Sequence, residues 1–85
     1  MKNEVNVKVF STPTCPYCEM EKEFLKRNGI KFESIDVSID HKAATEMILK
    51  SGQRGVPVTI IENNGDEEII VGFDQQRLKK ALGIK

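Results

Sequence analysis

Between Val5 and Gly29 the sequence changes its hydrophobic period once, and the change falls at Cys15-Pro16-Tyr17-Cys18. Val5, Val7 and Val9 alternate with Asn6 and Lys8, and Phe10 closes the run. Alternating β-branched residues predict a half-buried strand over 5–10. Ser11-Thr12-Pro13-Thr14 breaks the pattern. Tyr17, Met20, Phe24 and Leu25 then recur at helical spacing, opposite Glu19, Glu21, Lys22, Glu23 and Lys26. This stripe predicts an amphipathic helix over 16–28, with Tyr17, Met20, Phe24 and Leu25 as its apolar face. Pro16 suits its first turn, where a missing N–H costs nothing, and Asn28-Gly29 is the stop.

Phe32, Ile35 and Val37 predict a second strand over 31–37, parallel to the first through a right-handed crossover. Ser38 or Asp40 is placed to cap the next helix. Ala44, Met47 and Ile48 form that helix's buried stripe, and Ser51-Gly52 ends it. Gly55-Val56-Pro57 reads as a turn before the β-rich run Val58-Thr59-Ile60-Ile61. Asn63-Asn64-Gly65-Asp66 is a hairpin turn signal, and Glu68-Ile69-Ile70-Val71 is the partner strand. A last helix follows from Asp74 to Leu82, with Leu78, Ala81 and Leu82 as its apolar face and Gly83 as its end. The order is β-α-β-α-β-β-α. It predicts an α/β fold with a mixed four-stranded sheet and three helices. The sequence shows no repeat or linker, and its 85 residues suit one domain spanning 1–85.

Charge excludes some functions. The 13 Lys and Arg balance 13 Asp and Glu, which argues against a nucleic-acid-binding face. No apolar run approaches the roughly 20 residues needed to span a bilayer, so no membrane role is expected. Met1-Lys2-Asn3-Glu4-Val5 lacks the apolar stretch of a signal peptide, so the expected location is the cytoplasm. There a disulfide is more often catalytic than structural. The two cysteines are three positions apart, and a bridge over so short a loop constrains the unfolded chain little.

Position gives the pair its meaning. A cysteine just before a helix faces unpaired N–H groups and the positive end of the helix dipole, which favour the nucleophilic thiolate. Cys15 has that place, and Cys18 lies about one turn inside. A Cys-x-x-Cys beside a β-α-β pattern is a redox signal. Two other readings of the pair stand beside it. One is half a zinc site, for which only His41 remains as a further Cys or His ligand where four are normal. The other is an ordinary pair of core cysteines. No metal is expected, and His41, at a helix start, is given no role.

Cys15-Pro16-Tyr17-Cys18, Val56-Pro57 and Gly72-Phe73-Asp74, in that order and spacing, resemble glutaredoxins over nearly the whole chain. The resemblance implies the thioredoxin fold and a thiol–disulfide oxidoreductase of monomeric form. It implies that Cys15 and Cys18 are catalytic and that Pro57 follows a cis peptide beside them. The Val56 backbone would then pair with an extended cysteine substrate. It also implies glutathione as a thiol cosubstrate. Tyr17 would line its groove, Arg54 would meet a carboxylate, and the Gly72-Phe73-Asp74 turn would receive the γ-glutamyl end. From the sequence alone, Arg54 also reads as a solvated loop charge and Asp74 as a helix N-cap. Implied partners are disulfide-containing proteins or glutathionylated substrates.

Three positions depart from the family pattern: Thr12 where Lys is common, Phe73 in the glycine turn, and Gln75 for the usual second Asp. Gly-Phe at this turn is similar to glutaredoxin-like electron donors reduced by thioredoxin reductase, a flavoprotein, for example for a ribonucleotide reductase. A further alternative is an iron–sulfur carrier that bridges a cluster between two protomers.

Overall fold

The computed structural model describes residues 5–63 and 65–83. Met1 to Glu4, on which the signal-peptide reading rests, and Asn64 of the expected turn lie outside the described residues. Seven elements occur in the expected order: β1 (Val5–Ser11), α1 (Pro16–Arg27), β2 (Glu33–Asp36), α2 (His41–Ser51), β3 (Val58–Asn63), β4 (Asp66–Val71) and α3 (Gln75–Leu82). They form one sheet of order β2-β1-β3-β4. β1 runs parallel to β2 and antiparallel to β3, and β3 and β4 form an antiparallel hairpin. β2 and β4 are the edges. This mixed sheet with three helices is the thioredoxin fold.

The pleat divides the core in two. Val7, Val9, Ile61 and Ile70 pack with Leu25 of α1 and Leu78 of α3. Phe10, Val58 and Ile60 pack with Ala43 and Met47 of α2. Helices thus cover both faces, and β3 begins with four buried residues in succession, Val58 to Ile61. A strand covered on both faces reads as a continuous apolar run, and this one does apart from Thr59.

The helix ends follow local chemistry. The carboxylates of Asp40 and Asp74 accept from the backbone N–H groups of Ala43 and Arg77, so both residues act as N-caps. Gly52 and Gly83 close α2 and α3 at φ of 73° and 70°, a conformation that a Cβ disfavours. In the hairpin, Asn63 pairs with Asp66, so both strands reach further toward the turn than expected. β2 is shorter than the predicted 31–37. Phe32 packs against the α1 side of the core just before the strand begins.

The inward face of α1 differs from the expected one. Met20 is 51% exposed, whereas Glu21 is completely buried. The buried stripe is Cys18, Glu21 and Leu25: Leu25 is inward as expected, while Tyr17, Met20 and Phe24 sit one residue round from the buried line. Phe24 is half-buried at the margin and Tyr17 is exposed. The helix rotates this way because Cys18 and Leu25 fill the core while the Thr59 hydroxyl donates to the Glu21 carboxylate. In α2 the shift is smaller: Ala43 and Met47 are buried, and Ala44 and Ile48 are partly so.

Candidate active site

Cys15 is the N-cap of α1, with extended backbone at φ −99° and ψ 107°. Its Sγ accepts the Cys18 backbone N–H at 3.2 Å. A sulfur thus takes the place that a Ser or Asp oxygen fills at ordinary helix starts, meeting one of the N–H groups that lack an intrahelical partner. The Cys15 backbone N–H in turn donates to the Thr12 carbonyl at 3.4 Å, which tightens the loop after β1. Cys15 Sγ also lies 3.8 Å from the Val56 carbonyl oxygen, within reach of a weak S–H···O contact.

Cys18 is fully buried one turn into the helix. Both cysteines are free thiols. Burial, and next the neighbouring Cys15 sulfur, push the Cys18 thiol up to about 12. Cys18 is therefore a neutral thiol over the physiological range, beside a partly exposed Cys15.

The loop before β3 completes the near side. The Val56–Pro57 peptide is cis, and Pro57 is buried. The Pro57 carbonyl accepts the Gly72 N–H at 2.8 Å, which joins the glycine turn to this loop. Gly72 has φ of 80°, the left-handed conformation that favours glycine. Phe73 then packs edge-on against Phe24 of α1, with ring centroids 5.7 Å apart. Beside them, Met20, Glu23, Phe24, Arg27, Phe73 and Gln75 line a groove of about 260 Å³.

The structure thus brings together Cys15, Cys18, Val56, Pro57 and Gly72, from three separated stretches of chain. Phe73 and Asp74 follow directly, with Asp74 occupied as the α3 N-cap at 3.1 Å from the Arg77 N–H. Tyr17 is 62% exposed at the start of α1. Arg54 is exposed in the loop two residues before Val56. Among the described residues, no three His, Cys, Asp or Glu side chains converge to hold a metal ion.

Glu21 escaped the sequence reading. Its carboxyl is buried on the same face of α1 as Cys18, and burial pushes it up to about 7 against the partial relief of the Thr59 hydrogen bond. The one signal that pointed to it was Thr59 itself, a lone hydroxyl in the apolar run Val58-Thr59-Ile60-Ile61.

The glutaredoxin family profile matches residues 7–65. The chain is 43% identical over 76 residues to a glutaredoxin-like 8.6 kDa protein of the rubredoxin operon of Clostridium pasteurianum, covering 89% of this chain and 96% of that one. It is 35% identical over 82 residues to N-acetyl-S-hydroxy-L-cysteine reductase of Bacillus subtilis, covering 96% and 88%. A crystal structure of a glutaredoxin from Archaeoglobus fulgidus superposes with a TM-score of 0.74 at 28% identity, covering 92% and 86%. With its Cys-x-x-Cys pair at the head of α1, this chain belongs to the glutaredoxin family of thiol oxidoreductases.

Proposed function

We propose that the chain is a monomeric disulfide reductase in which Cys15 attacks and Cys18 resolves. The observation that carries this reading is the contrast between the two sulfurs. Cys15 is partly exposed and accepts a helix N–H, whereas Cys18 is buried and protonated. Cys15 thiolate attacks one sulfur of a substrate disulfide, and the other sulfur leaves as thiolate. The mixed disulfide removes the charge from Cys15 and with it part of what holds the Cys18 proton in place. Cys18 then attacks Cys15 Sγ, releases the second substrate thiolate and leaves a Cys15–Cys18 bridge.

An extended substrate strand fits beside the Val56 backbone, next to the attacked sulfur. Substrates on this reading are disulfide-containing proteins or glutathione mixed disulfides in the cytoplasm. Glutathione then restores the dithiol. Arg54 would meet one of its carboxylates, Tyr17 would line its flank, and Gly72, Phe73 and Asp74 would receive its γ-glutamyl end.

A second electron source has its own support. Gly72 N–H already donates to Pro57, and one Asp74 oxygen already caps α3. Part of the turn meant for glutathione is therefore engaged inside the fold. The exposed apolar side chains Tyr17 and Met20 offer contact area to a larger, protein reductant. On that reading a flavoprotein reductase of the thioredoxin reductase type reduces the bridge.

Two variants test the division of roles. Cys15→Ser is expected to abolish all exchange. Cys18→Ser is expected to retain reduction of glutathione mixed disulfides and lose reduction of protein disulfides. Equal behaviour of the two variants on every substrate refutes the assignment. The rate of bridge reduction by glutathione, set against that by thioredoxin reductase, identifies the electron source.

A further inference from the structure

Glu21 has no part in the scheme above, yet it occupies the most guarded position near the cysteines. Its side chain is wholly buried. One oxygen, Oε2, accepts the Thr59 hydroxyl, and the other, Oε1, has no hydrogen-bond partner among the described residues. A buried carboxyl with an open acceptor is costly unless something else uses it.

Its position relative to the cysteines is fixed by two elements. On α1, Cys18 and Glu21 are three residues apart on one buried face, a spacing that puts Cβ atoms about 5–6 Å apart. On β3, Thr59 is two residues beyond Pro57. The same helix and the same strand segment therefore meet twice, at Cys15 with the Val56 carbonyl and again at Glu21 with Thr59. Cys18 lies on the helix between these two meetings.

The surroundings leave Glu21 few charged neighbours. In the sheet, Thr59 is flanked by Val9 of β1 and Ile70 of β4. α3 contributes buried Leu78. On the same side, Lys22 pairs with Glu19, Asp36 of β2 accepts from Ser38, and Glu68 of β4 pairs with Arg77 of α3. Among the described residues, the titratable side chains fully buried on this side are Cys18 and Glu21.

We infer that Glu21 is the proton acceptor for Cys18 in the release step, taking its thiol proton directly or through one water as Cys18 attacks Cys15. The inference rests on the dithiol reading above and adds the fate of the proton. In the mixed disulfide, the Cys18 S–H bond breaks and its proton passes to the Glu21 carboxylate. The Cys18 sulfur forms its bond to Cys15 Sγ, the bond from Cys15 to the substrate breaks, and the substrate sulfur leaves as thiolate. When a thiol reductant later opens the bridge, Cys18 departs as thiolate and recovers the proton from Glu21. Each full cycle returns Glu21 to its starting state. Two electrons pass from the dithiol to the substrate, and the protons on the released thiols come from solvent. A carboxyl held near neutrality is well matched to this exchange at physiological pH.

The test separates the two chemical steps. Fully reduced protein is mixed in a stopped-flow cell with dithiobis(nitrobenzoate), which releases a coloured thiolate at each step. The first phase reports Cys15 attack and the second reports Cys18 attack. Glu21→Gln keeps the shape and an acceptor for Thr59. It is expected to slow the second phase by about 100-fold at neutral pH, within the usual range for a lost general base, and to leave the first phase unchanged. In the unaltered protein the second phase is expected to inflect near pH 7. This profile stands even if the variant fails to fold. A second phase of unchanged rate and profile in Glu21→Gln overturns the inference, as does an equal slowing of both phases or an unaltered protein without the inflection. Absence of a fast first phase would instead refute the role of Cys15.

Discussion

A buried carboxyl that prefers its proton makes stability depend on pH in a definite direction, and Glu21 offers a clean case. Burial raises it from 4.5 to about 7 in the folded protein. Between those values the folded chain keeps a proton that the unfolded chain has released. Stability therefore falls as pH rises through this window and levels off above it. Each tenfold change in proton affinity is worth about 1.4 kcal/mol, so the full loss is about 3 kcal/mol. Glu21→Gln cannot ionise and escapes the loss. The amide also places a donor where Oε1 has no partner among the described residues, but that cost is the same at every pH. The difference between the two proteins is therefore expected to move by about 3 kcal/mol in favour of Gln from about pH 4.5 to pH 8. In urea this is a relative midpoint shift of about 2 M for a domain of this size. The assay is equilibrium unfolding of both proteins with the cysteines kept reduced. Cys18 and the other titrating groups are common to both and cancel. A difference that stays constant across pH refutes the reasoning and implies that Glu21 is either solvated or ionised throughout.

Other outcomes follow from named contacts. Leu78→Ala empties a fully buried site where α3 meets β1 and β4, and is expected to destabilise the fold by about 3 kcal/mol, read from thermal or urea unfolding. Asp74→Asn keeps an equally good N-cap while removing the charge. If the Asp74 carboxylate receives the γ-glutamyl end, kcat/KM for glutathione falls about tenfold with little change in Tm; equal kcat/KM would leave Asp74 a cap alone.

Much of this architecture was legible because its signals are local. Periodicity, β-rich runs and turn signals located all seven elements. Asp40, Asp74, Gly52 and Gly83 marked helix ends through chemistry that acts within one turn. Cys15 was readable for the same reason: it occupies an N-cap. The seat of α1 was not legible. Tyr17-Met20-Phe24 and Cys18-Glu21-Leu25 are equally helical stripes offset by one residue, and hydrophobicity alone favours the first. What decides between them is Thr59, 38 residues away, whose hydroxyl meets the carboxylate across the helix–sheet interface. A pairing of that kind exists only after the strand and the helix have been brought together. The Gly72–Pro57 hydrogen bond is likewise a product of assembly, joining two motifs that the sequence showed only as separate turns.

The two edges of the sheet differ in how they meet a second copy of the chain. β2 is four residues long and offers little backbone to pair with. β4 is longer, but it opens with Asp66, Glu67 and Glu68, three exposed carboxylates in a row. A copy pairing in parallel register along β4 would bring its own acidic run against this one, and like charges set opposite each other weaken strand pairing. Within the chain Lys50 pairs with Glu67 and Arg77 with Glu68, and Arg77 also donates to the Ile69 carbonyl at 3.5 Å, so β4 is guarded by charge and by partial cover together. That guard acts against self-association in particular, since a strand of opposite charge would meet no such repulsion.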